Sequence, residues 1–202
     1  MKKILLLIMG LVMTPMNVSA TEYKEGTHYT VIRDTASTTP EITSFFSFYC
    51  QHCYQFALSE IPKMKAELPE GVSFKQVQVA AVGGKMGEDM SRAFAIAQLL
   101  NVEDVIEPAL FSAVHQEGVR FTHLDDIKRI FVTNGVDSAD FDAAAASFMV
   151  SSKVAQMDRA VSEANIVGVP TLIVNGKYRV ETGAIKSYDE MRQIAYYLTG
   201  LK

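Results

Sequence analysis

The 202-residue chain holds only two cysteines, has no cluster of basic side chains, and carries no apolar run long enough to cross a bilayer. The apolar run from Ile4 to Met13 is about ten residues, whereas a spanning helix needs roughly 20. Without grouped Lys and Arg, phosphates cannot be neutralised, so nucleic acid is excluded as a partner and attraction to anionic lipid is weak. There is no second cysteine pair to complete a four-ligand zinc site, and the other candidate ligands are the scattered His28, His52, His115 and His123. No internal repeat or low-complexity linker divides the sequence.

What is present begins with a three-part leader: Lys2 and Lys3, the apolar run, then small residues ending Val18-Ser19-Ala20. This is the layout of a secretory signal, expected to be removed after Ala20. Losing its two lysines leaves 17 basic against 23 acidic side chains and moves the net charge from −4 to −6. A mature chain of this length can bury a sizeable core without disulfide staples. Export nevertheless implies an oxidising compartment, where cysteines usually become structural bridges.

Cys50 and Cys53 suit a staple poorly, because a crosslink stabilises more as the loop it closes lengthens, and theirs is very short. Reactivity explains the pair better. The aromatic-rich segment Glu41 to Tyr49 reads as a central strand, and residues 51–67 carry apolar positions at helical spacing, with a kink expected near Pro62. The motif Cys50-Gln51-His52-Cys53 therefore sits at a helix N-terminus, where unpaired N–H groups and the macrodipole favour a thiolate. A cationic His52 would add to this, against the plainer reading of a solvated residue at a helix start. Cys50 is expected to be the exposed sulfur that substrates meet, and Cys53, one turn inward, the buried sulfur that resolves the mixed disulfide. Half a zinc ribbon and a merely structural bridge are the competing readings.

Further along, Tyr29 to Arg33 and Val72 to Val79 read as strands, the latter parallel to the central strand through a right-handed crossover. Gly83-Gly84 opens a stretch with no convincing strand until about residue 165. It lacks the spacing of a phosphate-binding loop and reads as a junction turn. Within this stretch Met86 to Leu100 and Phe141 to Val161 have helical composition, and Thr122 to Asp125 resembles a capping box. Asn175-Gly176 between Thr171 to Val174 and Lys177 to Glu181 suits a type I′ hairpin, and Ser187 to Leu198 reads as a last helix with Ser187 and Glu190 as its capping box. The expected organisation is a signal segment 1–20, a discontinuous α/β unit of 21–82 and 162–202, and an inserted helical unit of 83–161. The six methionines outside the leader read as core filling, and His115 and His123 have no visible partner. Pro170, at a strand start, reads on its own as an edge marker.

Taken in order, Phe45-Phe46-Ser47-Phe48-Tyr49-Cys50, His52-Cys53-Tyr54-Gln55-Phe56, Leu68-Pro69-Glu70-Gly71, Gly83-Gly84 and Gly168-Val169-Pro170, followed by Val174-Asn175-Gly176-Lys177-Tyr178, resemble the DsbA family of periplasmic thiol:disulfide oxidoreductases. The resemblance implies an α/β thioredoxin fold interrupted by an all-helical domain. It also implies a cis Val169-Pro170 bond beside Cys50, with neighbouring backbone that pairs with substrate peptide. Its further implications are a monomeric, cofactor-free oxidant of reduced exported proteins and reoxidation by a DsbB-type membrane quinone reductase. A reductase or isomerase of the same fold and a non-catalytic peptide-binding chaperone are the alternatives. Gln51 departs from the family's usual proline, which bears on redox potential. Ser44, Ala57 and Gln76 stand where relatives commonly have buried acids and a lysine. Loss of all three charges would leave no buried ion unpaired; Cys53 is then expected to lose a nearby proton acceptor, with a water or backbone group taking over.

Overall fold

The strand Glu41–Phe46 (β2) is apolar on both faces because it is covered on both: Ile42, Phe45 and Phe46 are all buried. In the computed structural model, which describes residues 23–201, β2 lies inside a five-stranded sheet. Four further strands complete it: Tyr29–Val31 (β1), Ser73–Gln78 (β3), Thr171–Val174 (β4) and Tyr178–Val180 (β5). Their order is β1-β5-β4-β2-β3, with β2 parallel to β3 and every other pair antiparallel. The leader expected at 1–20 lies outside the described residues.

Between β2 and β3 the chain forms two helices, Gln51–Ser59 (α1) and Ile61–Ala66 (α2), where one kinked helix was expected. Pro62 has no N–H to give the carbonyl of Leu58 and its ring crowds that oxygen, so the helix stops and restarts with proline in its first turn. Five consecutive helices then separate β3 from β4: Lys85–Leu100 (α3), Glu103–His115 (α4), Leu124–Thr133 (α5), Ser138–Ala145 (α6) and Phe148–Glu163 (α7). The last helix is Tyr188–Thr199 (α8). This is the α/β thioredoxin fold with an all-helical insertion.

The sheet divides the core. Ile173 joins Phe45, Phe46, Val77 and residues of the helical insert on one side, while its neighbours Leu172 and Val174 join Ile42, Phe56 and Met191 on the other. Across the second layer Arg192 of α8 is buried, its guanidinium donating to Glu60 (2.9 Å), Glu67 (2.8 Å) and Asp189. The sequence carries little sign of this cluster: Asp189 is three residues away on the same helix, but Glu60, at the α1–α2 junction, and Glu67, at the end of α2, come from far away along the chain.

Local signals hold with some shifts. Asn175 and Gly176 both have positive φ, 54° and 62°, as a type I′ turn requires. Asn175 is also buried and accepts from the Glu41 backbone N–H at 3.1 Å. The cap of α5 falls one residue later than expected: His123 is the N-cap and Asp126 accepts from the backbone N–H groups of both Thr122 and His123. At α8 Ser187 accepts from Glu190 N–H, but Glu190 reaches back to Lys186, not Ser187. Met149 is 54% exposed, so core filling does not describe every methionine of the insert.

Candidate redox-active site

Cys50 is the N-cap of α1, in an extended conformation, and its Sγ accepts from the Cys53 backbone N–H at 3.2 Å. The first turn of α1 is thus capped by sulfur where serine or aspartate would ordinarily stand. Cys50 is half-buried and Cys53 is 2% exposed; both are free thiols. The two sulfurs are driven apart in acidity. A hydrogen bond from the Cys53 thiol, together with the backbone N–H groups of Cys53 and His52, outweighs partial burial and holds Cys50 down at about 6. The same hydrogen bond, seen from its donor, joins burial in pushing Cys53 well above the ordinary thiol range.

His52 contributes less than its place between the sulfurs suggested. Its charge is the smallest of the influences lowering Cys50, and its exposed ring is turned to Tyr188 of α8, with Nδ1 3.0 Å from the Tyr188 hydroxyl. Gln51 is exposed on the outer face of the helix start.

Facing the motif, the Val169-Pro170 peptide bond is cis, and the Cys50 thiol donates to the Val169 carbonyl at 3.4 Å. Residues 119 positions apart in sequence are therefore joined at the site. A groove of about 680 Å³ extends from this point between His52 and Tyr188, with Val167 at 88% exposure on its rim and Arg179 and Lys186 along its walls.

The helical insert holds the turn that presents Cys50. His115, at the end of α4, donates from Nε2 to the Phe48 carbonyl at 2.8 Å and stacks flat on Tyr54, ring centroids 5.0 Å apart. Gly83 serves the same turn: a Cβ there would stand 2.2 Å from the Tyr49 ring, so the backbone passes where a side chain could not. His28 accepts from the Lys24 N–H and His123 caps α5, so neither of these two joins the cysteines. Among the described residues no group of three or more His, Cys, Asp or Glu is placed to hold a metal ion, and no helix is long and apolar enough to cross a membrane.

Behind Cys53 an ionisable group is present, contrary to the expectation that the cysteine has lost its nearby acid. A cavity of about 10 Å³ is lined by Cys53, Ser44, Ala57, Gln76 and a carboxylic acid, Glu107 of α4. Glu107 is 5% exposed and accepts from Gln76 Nε2 at 2.7 Å. Burial pushes its carboxyl above the usual range, against the opposing pull of Gln76 and Lys65. Ser44, Ala57 and Gln76 are indeed uncharged, but acidity has entered the same cavity from another element.

Against known proteins, residues 57–199 match the model of the DSBA-like thioredoxin domain. The chain is 39% identical over 182 residues to the thiol:disulfide interchange protein DsbA of Escherichia coli K12, covering 89% of this chain and 86% of that one. DsbA from Proteus mirabilis, solved with a non-covalently bound peptide, superposes with a TM-score of 0.75 at 33% identity, covering 88% of this chain and 98% of that one. Pseudomonas aeruginosa DsbA superposes with a TM-score of 0.79 at 25% identity, covering 88% and 93%. On sequence, fold and the extent of both matches, the chain belongs to the DsbA family of thiol:disulfide oxidoreductases.

Proposed function

We propose that this protein is a periplasmic dithiol oxidant that donates a Cys50–Cys53 disulfide to reduced, newly exported proteins. The observation that carries the reading is the opposed acidity of the two sulfurs, with Cys50 held at about 6 beside a strongly protonated Cys53. A stabilised thiolate stabilises the reduced pair, which makes the oxidised pair readier to surrender its bond.

In the forward reaction a client thiolate attacks Cys50 Sγ, and the Cys50–Cys53 bond breaks with its electron pair on Cys53. A second client thiolate then attacks the client sulfur of the mixed disulfide and releases Cys50 as thiolate. The client loses two electrons, the pair gains them, and a DsbB-type quinone-linked membrane partner withdraws them. Backbone at Val169, next to Pro170, pairs with the client strand, a mode largely blind to side-chain identity and suited to varied clients. The protein works as a monomer with no cofactor. The leader 1–20 directs export, and the partition into 21–82 with 162–202 around an insert of 83–161 belongs to the same reading. The run of α3 to α7 supports that partition, α7 ending at Glu163, just beyond the interval.

Equilibration of the mature protein with glutathione buffers tests the assignment, since about 30 mV is a tenfold change in the two-electron constant. An oxidant should be fully reduced by buffers that leave ordinary structural disulfides intact. A potential in the reducing range would instead make the protein a reductase or isomerase. In parallel, Cys53→Ala should accumulate mixed disulfides with exported proteins and Cys50→Ser should form none; the reverse pattern would exchange the two roles.

A further inference from the structure

Glu107 lies midway along α4, in the helical insert, yet its side chain is turned inward to the back of α1. A carboxyl taken out of water without a close counter-ion is costly as the anion, so such groups are kept for a reason or are neutral. The groups around it come from four elements: Cys53 from α1, Lys65 from α2, Gln76 from β3, and Glu103 and Asp104 from its own helix. Lys65 is engaged at 2.6 Å with Asp104, which is exposed, so its charge is directed outward. What faces Glu107 at close range is an amide, 2.7 Å away, which can donate to either protonation state.

The cavity it shares with Cys53 is about the size needed for a single water. Cys53 itself is sealed from solvent, and a sulfur pushed so far toward the thiol must acquire a proton whenever it is released and lose one whenever it attacks. A buried carboxyl held above its usual range by burial is better suited than an ordinary one to give and to take that proton.

We propose that Glu107 carries the proton for Cys53 through one water in their shared cavity. The inference rests on the exchange reaction proposed above. When a client thiolate bonds to Cys50 Sγ and the Cys50–Cys53 bond breaks, the electron pair stays on Cys53 Sγ and the proton passes to it from the Glu107 carboxyl. The resulting carboxylate is held by Gln76 Nε2 until it regains a proton from solvent. In the reverse direction Cys53 gives its proton to the Glu107 carboxylate as its electron pair attacks Cys50 Sγ, and the thiolate attached there departs.

Rapid mixing of the reduced mature protein with oxidised glutathione, followed by acid quench, separates adduct formation at Cys50 from resolution by Cys53. In the wild type, resolution should quicken as pH rises through the titration of Glu107. In Glu107→Gln, adduct formation and the Cys50 titration should be unaltered, while resolution at pH 7 falls about 100-fold, the low end of general acid–base effects. Glu107→Asp, which keeps a carboxyl, should recover part of the rate and the pH inflection. Resolution at the wild-type rate in Glu107→Gln overturns the proposal, and so does equal slowing of both steps, which marks a structural role. Should Glu107→Gln fail to fold, a wild-type profile without the inflection overturns it alone. If the wild type forms no glutathione adduct, the exchange reading falls as well; adduct formation with pH-insensitive resolution sinks only the role of Glu107.

Discussion

The imidazole of His52 and the hydroxyl of Tyr188 meet at 3.0 Å, tying the middle of the cysteine motif to the start of the last helix. The hydroxyl can donate to neutral His52 or accept from its cation, so the contact survives a change of charge. It steers the ring across the groove mouth.

Tyr188→Phe should therefore free the His52 ring and loosen peptide binding while raising the Cys50 titration by well under one unit, a full unit being about 1.4 kcal/mol. His52→Ala should likewise raise it only modestly, because the Cys53 hydrogen bond and backbone N–H groups remain. Ultraviolet absorbance of the thiolate against pH measures both. A return of Cys50 to an ordinary thiol value in His52→Ala would show that imidazole charge, and not the helix start, dominates the site.

The reduced protein should have a bell-like stability profile between weakly acidic and alkaline pH. Cys50 titrates near 6 in the folded chain and near 8.5 when unfolded, so between these values the unfolded state holds a proton that the folded state does not, and stability rises with pH. That contribution is lost as pH falls through about 6. Above about 8.5 the sign reverses, since unfolding lets Cys53 release a proton that folding makes it keep. Denaturant titrations of reduced wild type and Cys50→Ser at several pH values test this; the rising limb should vanish in Cys50→Ser, and its persistence there would assign it to another group.

Removing the cation from the Arg192 cluster should destabilise the fold without altering Cys50. Arg192→Ala leaves Glu60 buried, with Lys63 at 3.0 Å as its remaining ion-pair partner, and a cost of about 3 kcal/mol follows from breaking a buried pair on one side. Arg192→Lys should recover only part, because one ammonium cannot meet carboxylates of Glu60, Glu67 and Asp189 at once. Urea midpoints report the loss. A midpoint unchanged in Arg192→Ala would mean that the cluster contributes nothing net.

Much of the frame is legible in the linear order of residues. The double-faced apolar pattern of Glu41–Phe46, the turn chemistry of Asn175-Gly176 and the cysteine motif at a strand-to-helix step depend on neighbours within a few positions, and local sterics and helix-end electrostatics act on that scale. Pro62 was read correctly as a disturbance, but whether a proline kinks a helix or divides it depends on what the two segments pack against. His115 and Glu107 carried no readable signal, since the groups that give them meaning, the Phe48 carbonyl and the wall of the Cys53 cavity, arrive from other elements.

Sequence alone determined that two sulfurs would sit one helical turn apart at a helix start, with the first favoured as thiolate, because hydrogen-bond donors at such an end belong to the same few residues. Only the tertiary structure decided how acidic, how covered and how served those sulfurs are. Val169 closing over Cys50, Tyr188 turning His52 and Glu107 lining the cavity behind Cys53 are contacts between distant segments. Their strength comes from burial, which exists only once the chain has folded.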